Sequence, residues 1–350
     1  MTLPCGIRNY TYAEDMAIVR TGTHWVLLIG FLILLFTAPL YFNNYWLGVF
    51  NLIGITLIAA VGLNILVGYC GQLSIGHAGF IAVGAYTSAI LTNRLEMPFL
   101  VGLIGAGLLS GLVGLVFGLP SVRVKGFYLA ITTIAAQFII IWVINHWGLT
   151  GGGNLITAPY PSIFGLEFRA ESSQFYLIIG IAVLGVFFAK NLTRTKVGRA
   201  FIAIRDNDLA AEVMGVNLLY YKLLAFFIGC FFAGIAGALY AHWLGSLNAE
   251  QFSFTESILY VGMIIIGGLG TNIGPIFGVV FIRVLQQVLT IQLVPFLEKS
   301  VTVLPSGFAT GITPMLFGLV IVLFLILEPR GLAHRWSLFK ASYRLWPFSY

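Results

Sequence analysis

The sequence predicts an all-α membrane protein, a polytopic bundle of about ten hydrophobic helices joined by short connections. Three observations predict it. Of 350 residues, 59% are hydrophobic and only 9% are charged, against roughly a quarter charged in an ordinary soluble domain. Mean hydropathy is +0.98, in a chain that holds 41 glycines and 29 phenylalanines. Long apolar runs follow one another along the chain, and Lys and Arg gather at their ends instead of on one polar segment.

The first stretch, residues 1–23, is polar and mixed, with Arg8, Glu14, Asp15 and Arg20. No small-residue cleavage site follows the apolar run after it, so that run reads as a retained span and not as a signal peptide. Crossing a hydrocarbon core takes roughly 20 apolar residues. Such runs lie near 24–41, 46–68, 73–92, 98–120, 126–146, 174–190, 222–244, 256–270, 275–292 and 305–327. The eighth and ninth are short and interrupted by glycine, which fits either two spans or one hairpin dipping into the membrane. A single transmembrane domain over 24–327 therefore carries one long polar loop, 190–222, and is followed by a tail, 328–350.

Charge placement orients the bundle. With the N-terminus inside, the cytoplasmic loops are 69–72, 121–126 and 191–221, followed by the tail. They hold Arg123, Lys125, Lys190, Arg194, Lys196, Arg199, Arg205, Arg330, Arg335, Lys340 and Arg344. The outer loops 42–45, 93–97, 147–173, 245–255 and 293–304 carry only Arg94, Arg169 and Lys299, each near an acid at Glu96, Glu167 or Glu298. Cytoplasmic loops are enriched in Lys and Arg, so ten spans with both ends inside satisfy the rule where nine would not. The same placement explains the formal charge of +6 without nucleic acid, which requires basic residues on a solvated face.

Several chemistries are missing. No Gly-Lys dipeptide, HExxH or CxxC occurs, so the chain has no Walker A loop and no zinc motif. Cys5, Cys70 and Cys230 are far apart, which disfavours a metal or disulfide and makes the latter two small packing residues. Every Asp and Glu falls in a loop or at a helix end, which disfavours proton coupling through buried acids. Arg283 is the exception, near the middle of the ninth run; it faces a wet pathway or, in a re-entrant hairpin, an interface, with Gln286 and Gln287 as neighbours. Gly107, Gly111, Gly114 and Gly118 on one run, and Gly270, Gly274 and Gly278 on another, form small-residue faces that let helices approach closely.

The loop at 190–222 reads KNLTRTKVGRAFIAIRDNDLAAEVMGVNLLYYK. Val197–Ile204 suits one short helix, and Asp206 or Asn207 can cap a second that ends at Gly215. Leu209, Val213 and Met214 give the second helix an apolar side, and Asp208 and Glu212 an acidic one. Such a helix suits a groove on a partner protein, while the loop's basic residues also suit anionic lipid headgroups.

This loop resembles the coupling loop of permeases of ATP-binding-cassette importers, in the branched-chain amino-acid (Liv-type, M-subunit) family. Gly68–Phe80 with Gly84–Tyr86, Lys222–His242, Gly267–Gly278 and Glu328–Leu332 also match that family's pattern. The resemblance implies a subunit that binds no cofactor and performs no catalysis. Its implied partners are two ATPase subunits, a second homologous permease and an external solute-binding protein, in a cell inner membrane. By the same likeness Gly198, Arg199, Ala203, Ile204, Arg205, Asp206, Asp208, Ala211, Glu212 and Gly215 would contact the ATPase. Gly267, Gly268, Gly270, Gly274, Pro275 and Gly278 would shape the hairpin.

Candidates for the substrate path are the polar groups on apolar runs, Asn64, Gln72, Ser74, His77, Gln137 and Arg283. Each has an alternative in which it bonds a neighbouring helix. Segment 148–174 is the longest outer loop, a contact for a delivering protein or simply a loop with turn residues. The expected cargo is a branched-chain or related amino acid. Urea, short amides or aromatic acids are the alternative for the same machine, and a standalone facilitator is a different class.

Overall fold

The computed structural model describes residues 22–124, 126–163, 165–289 and 308–345. Arg8, Glu14, Asp15, Arg20, Cys5, Lys125 and the Glu298 and Lys299 of an expected outer loop lie outside the described residues. The chain folds into helices α1 (Gly22–Phe36), α2 (Ala38–Tyr41), α3 (Asn44–Leu63), α4 (His77–Asn93), α5 (Phe99–Gly118), α6 (Phe127–His146) and α7 (Glu171–Leu192). Then follow α8 (Lys196–Asp206), α9 (Asp208–Val213), α10 (Leu218–Leu244), α11 (Phe254–Gly267), α12 (Gly274–Val288), α13 (Phe308–Leu327) and α14 (Leu332–Leu345). Among the described residues, five helical segments are long and apolar enough to cross a membrane: Asn44–Tyr69, Phe99–Ser121, Phe127–His146, Glu171–Leu192 and Leu218–Leu244.

Helix α10 is the centre of the bundle, and small residues put it there. A Cβ on Gly237 would stand 2.0 Å from the Ile81 carbonyl oxygen of α4, and one on Gly234 would stand 2.4 Å from that of Ala106 in α5. Gly62 of α3 lies as close, 2.6 Å from the Gly229 carbonyl oxygen. In lipid no hydrophobic effect drives helices together, so these backbone approaches supply the dispersion contacts that do. On α5, Gly107, Gly111, Gly114 and Gly118 make room for side chains instead: Phe231, Phe227, Cys230 and Phe226 of α10 fill the space above them. The opposite face of α5 exposes Leu100, Ile104, Leu108, Leu112 and Val116 at four-residue spacing, a stripe whose solvent is lipid.

The ends of the bundle are sorted. At one end meet the segments after α3, after α5, between α7 and α10, between α11 and α12, and before α14. There Arg205 Nη1 donates to the Gly68 carbonyl at 3.1 Å, Lys222 Nζ to that of Ser121 at 3.5 Å, and Gly331 packs against Gly268. At the other end β1 (Ile156–Thr157) pairs antiparallel with β4 (Ser246–Leu247), and β2 (Ser162–Ile163) with β3 (Leu166–Glu167). His242 Nδ1 donates to the Pro159 carbonyl at 2.7 Å and Asn93 Nδ2 to that of Thr157 at 2.9 Å. The long segment 148–174 is thus tied down by strands and side chains and is not a free loop.

Two expected spans are reshaped. The first is divided at Thr37 into α1 and α2. The third begins four residues later than its hydropathy suggests, because Gly71–Gly76 is not helical and α4 starts only at His77. Before that break, Asn64–Tyr69 winds as a π-helix, a rare local widening that often marks functional sites. α11 and α12, at 14 and 15 residues, are each shorter than the roughly 20 residues a full crossing takes. The tail forms α14 and packs on the bundle, with Trp336 edge-on to Phe277 at 5.8 Å.

Candidate functional site

The predicted residues build three structures that adjoin one another. The first is the surface made by α8 and α9. The Thr195 side chain caps α8, accepting from Gly198 N–H at 3.5 Å, and Asn207, not Asp206, caps α9, accepting from Ala210 N–H at 3.1 Å. Gly215 takes φ +86°, and its neighbour Val216 N–H donates to the Ala211 carbonyl at 2.9 Å, a left-handed helix stop that glycine adopts without strain. Of the residues expected to touch a partner, Arg199, Arg205, Asp206, Glu212 and Gly215 are exposed, and Ala203 and Asp208 are half-buried. Gly198, Ile204 and Ala211 are buried within this chain and offer no surface. A Cβ on Gly198 would stand 2.4 Å from the Thr193 backbone, so these three hold the helices in place. The most exposed apolar groups are Leu209, Val213 (87% exposed) and Met214 (83%).

The second structure is a junction beneath that surface. Arg205 is shared between Asp206, to which its Nε and Nη2 donate at 3.0 and 2.9 Å, and the Gly68 carbonyl in the π-turn. The π-turn is stitched to the α11–α12 tip. Asn64 Nδ2 donates to the Thr271 carbonyl at 2.9 Å, Gly270 N–H donates to Asn64 Oδ1 at 3.0 Å, and Tyr69 Oη donates to Asn272 Oδ1 at 2.9 Å. The tip is tight because it must be. A Cβ on Gly267 would stand 1.9 Å from the Gly274 carbonyl oxygen and one on Gly278 1.8 Å from that of Met263, while Gly268 and Gly270 take φ +114° and +68°. Pro275 lies in the first turn of α12, where its missing N–H costs nothing. Lys222, buried at the start of α10, pairs with Asp208 at 3.6 Å. Nearby, burial pushes the Cys70 thiol up to about 12, with the Lys222 charge opposing.

The third structure is a polar seam in the middle of the bundle. Gly71 and Gln72 N–H still bond back to Val67 and Leu66, and beyond them neighbours take over: Ile75 N–H donates to Thr133 Oγ1 at 3.0 Å, and Ala78 N–H, in the first turn of α4, to Ser257 Oγ at 2.9 Å. Ser257 Oγ donates in turn to Gln137 Oε1 at 2.8 Å, and Gln137 Nε2 donates to the Phe252 carbonyl at 3.1 Å. Gln137 lies halfway along α6, so the chain after α10 descends into the bundle before α11 begins. His77 Nε2–H donates to the Ala59 carbonyl at 3.0 Å. His77 Nδ1 and Ser74 Oγ are buried and meet no partner among the described residues. Gln72 donates only a long bond, 3.4 Å, to the Cys70 carbonyl.

Arg283 belongs to this seam. Its Nε donates to Thr56 Oγ1 at 3.1 Å, its Nη1 donates to Gln286 Oε1 at 2.9 Å, and its Nη2 lies 3.5 Å from Glu256 Oε2. It is buried and borders an interior cavity of about 140 Å³ between α3, α4, α10, α11 and α12. The expected neighbour Gln286 is there. The acid is the surprise: Glu256 is in the first turn of α11, a helix end by sequence, but that end lies inside the bundle. A second inward acid, Glu171, accepts from Asn51 Nδ2 at 2.7 Å and from Trp243 Nε1 at 3.1 Å. Among the described residues no group of three or more His, Cys, Asp or Glu is placed to hold a metal ion.

The branched-chain amino acid transport system / permease component family matches residues 45–327, which takes in all three structures. The chain belongs to this permease family. The permease is 30% identical to the high-affinity branched-chain amino acid transport system permease protein LivM of Escherichia coli, over 87% of this chain and 74% of the relative. It is 32% identical to LivM of Salmonella typhimurium over 79% of this chain and 67% of the relative, and 26% identical to a probable LivM of Methanocaldococcus jannaschii over 80% and 90%. No solved structure matches it. The permease is accordingly a multi-pass membrane transport component and not an enzyme.

Proposed function

We propose that this permease is the membrane subunit of an ATP-driven importer for branched-chain or related amino acids. It would pair with a second homologous permease and two ATPase subunits and receive cargo from an external solute-binding protein. In this reading the chain crosses the inner membrane ten times as one domain over 24–327, with α11 and α12 counted in, and both termini are cytoplasmic. The sorted ends support it: the basic segments after α5, between α7 and α10 and before α14 gather at one end of the bundle.

The observation that carries the proposal is the path from surface to seam. The exposed edge of α8 and α9, with Leu209, Val213, Met214, Arg205 and Glu212, suits the groove of an ATPase. Arg205 reaches from that edge to Gly68, and Gly68 adjoins the hairpin tip whose far end holds Glu256 against Arg283. Movement of the docked helices therefore has a hydrogen-bonded and packed route toward the cavity bordered by this ion pair. ATP drives the cycle only if nucleotide favours one of the two states over the other.

Charge reversal tests the coupling surface. Glu212→Arg and Arg205→Glu should abolish both ATPase co-purification and uptake; if both persist, the surface is misassigned. Competition of labelled leucine uptake by unlabelled urea tests the cargo, and urea should not compete.

A further inference from the structure

Resting on the import reading, we propose that Arg283 and Glu256 form a two-point receptor for the charged head of a zwitterionic amino acid in transit, the guanidinium taking the carboxylate and the Glu256 carboxylate taking the ammonium group.

Four observations carry this. The pair is slack, at 3.5 Å, where a well-made charge-assisted bond is about 2.7–2.9 Å. Its guanidinium is nonetheless held in place, because Thr56 and Gln286 accept from Nε and Nη1 and Tyr260 is a further hydrogen-bond partner, while Nη2 faces Glu256. Glu256 keeps 31% of its side chain accessible while Arg283 keeps 8%, and both border the cavity. One part of the cavity wall, Leu52, Ile55 and Ile81, is apolar and offers a surface for an aliphatic side chain, while Tyr240, Gln251 and Tyr260 also line it. At 140 Å³ the space holds a few waters at roughly 30 Å³ each, enough for a head group once they leave.

Charge balance then sets the class of ligand. Opening a buried ion pair is costly when it leaves either charge alone. A zwitterion replaces one pair by two and leaves neither charge unpaired. An amine satisfies only Glu256 and an acid only Arg283, so each leaves the other group without its charge partner. A neutral amide satisfies neither charge. The receptor is thus selective by the penalty it imposes on singly charged and neutral solutes, at a point where a single buried charge would otherwise obstruct passage.

The test places a reporter on the cavity wall without altering the pair. In membrane vesicles from cells expressing the full chain with Cys5, Cys70 and Cys230 replaced by alanine and Leu52→Cys introduced, alkylation by a small methanethiosulfonate reagent is timed with solute equilibrated on both sides. Leucine should slow alkylation several-fold, while 3-methylbutylamine, 4-methylpentanoate and leucinamide should not. Glu256→Gln should remove the protection, and Glu256→Asp should keep it. Equal slowing by the singly charged analogues, or no slowing by leucine, overturns the receptor. Labelled leucine uptake by the same cells separates the two readings. ATP-dependent uptake together with unselective alkylation keeps the importer and discards the receptor, whereas selective protection without such uptake keeps the receptor and discards the importer.

Discussion

Replacing Gly237 by alanine should be among the most damaging single-methyl changes in this permease. The new Cβ would stand 2.0 Å from the Ile81 carbonyl oxygen and 2.8 Å from the Ala85 nitrogen. Ordinary contact begins at 3.4 Å, so α10 and α4 must part by 3.4 − 2.0 = 1.4 Å at that point. Both obstacles are backbone, and no side-chain rotation relieves them. Overpacking typically costs about 1–3 kcal/mol, and a gap of 0.5–1 Å already forfeits about a quarter to a half of each dispersion contact along the interface, so about 3 kcal/mol is expected. Gly180→Ala in α7 is the control, since nothing lies within 4 Å of its Cβ and alanine improves a helix interior by about 1 kcal/mol. At about 2 °C per kcal/mol for a large domain, the two variants should differ by about 8 °C in the heating temperature that halves the monodisperse peak on size exclusion in detergent. Equal stability of the two would refute the close crossing of α10 and α4.

Other substitutions separate the parts. Arg205→Ala removes a charged donor to the Gly68 carbonyl, worth about 1.5 kcal/mol; ATPase subunits should still co-purify, but leucine carried per ATP hydrolysed should fall about tenfold, and unchanged coupling would exclude this route. Val213→Asp alters a side chain that is 87% exposed, so it should leave thermal stability unchanged while breaking ATPase association in a pull-down. Gly215→Ala meets no atom within 4 Å but sits at φ +86°, so it should cost about 1–2 kcal/mol, read as faster proteolysis of the loop after α9.

Hydropathy placed most of the described helical segments because lipid leaves little choice: a spanning segment must be apolar and internally hydrogen-bonded. The bounds of α9 were equally legible, since Asn207 and Gly215 act on backbone groups close by in sequence, whereas the Thr195 cap of α8 was not read. What the sequence hid is what depends on distance. Glu256 and Arg283 lie on opposite arms of a hairpin, and a window centred on either shows no partner for it. Residues 73–76 pass for the start of a helix, since Leu73 and Ile75 keep the run apolar while the Ile75 N–H bonds to Thr133 on another helix. The residues expected at the partner surface are of two kinds: Gly198, Ile204 and Ala211 support α8 and α9 from inside, and Val213 and Met214, not among those expected, present the most surface there. Exposure is set by how α8 and α9 lie on the bundle, and no local pattern reports it.

The central claim is that this chain forms a pathway whose energy enters from outside it, at α8 and α9. The most direct test is uptake of labelled leucine into proteoliposomes holding the permease alone, or the permease with its partner permease, ATPases and substrate-loaded binding protein. Uptake that appears only in the complete system, requires ATP and is lost with Glu212→Arg is the predicted result. Uptake by the permease alone, indifferent to ATP, would contradict it.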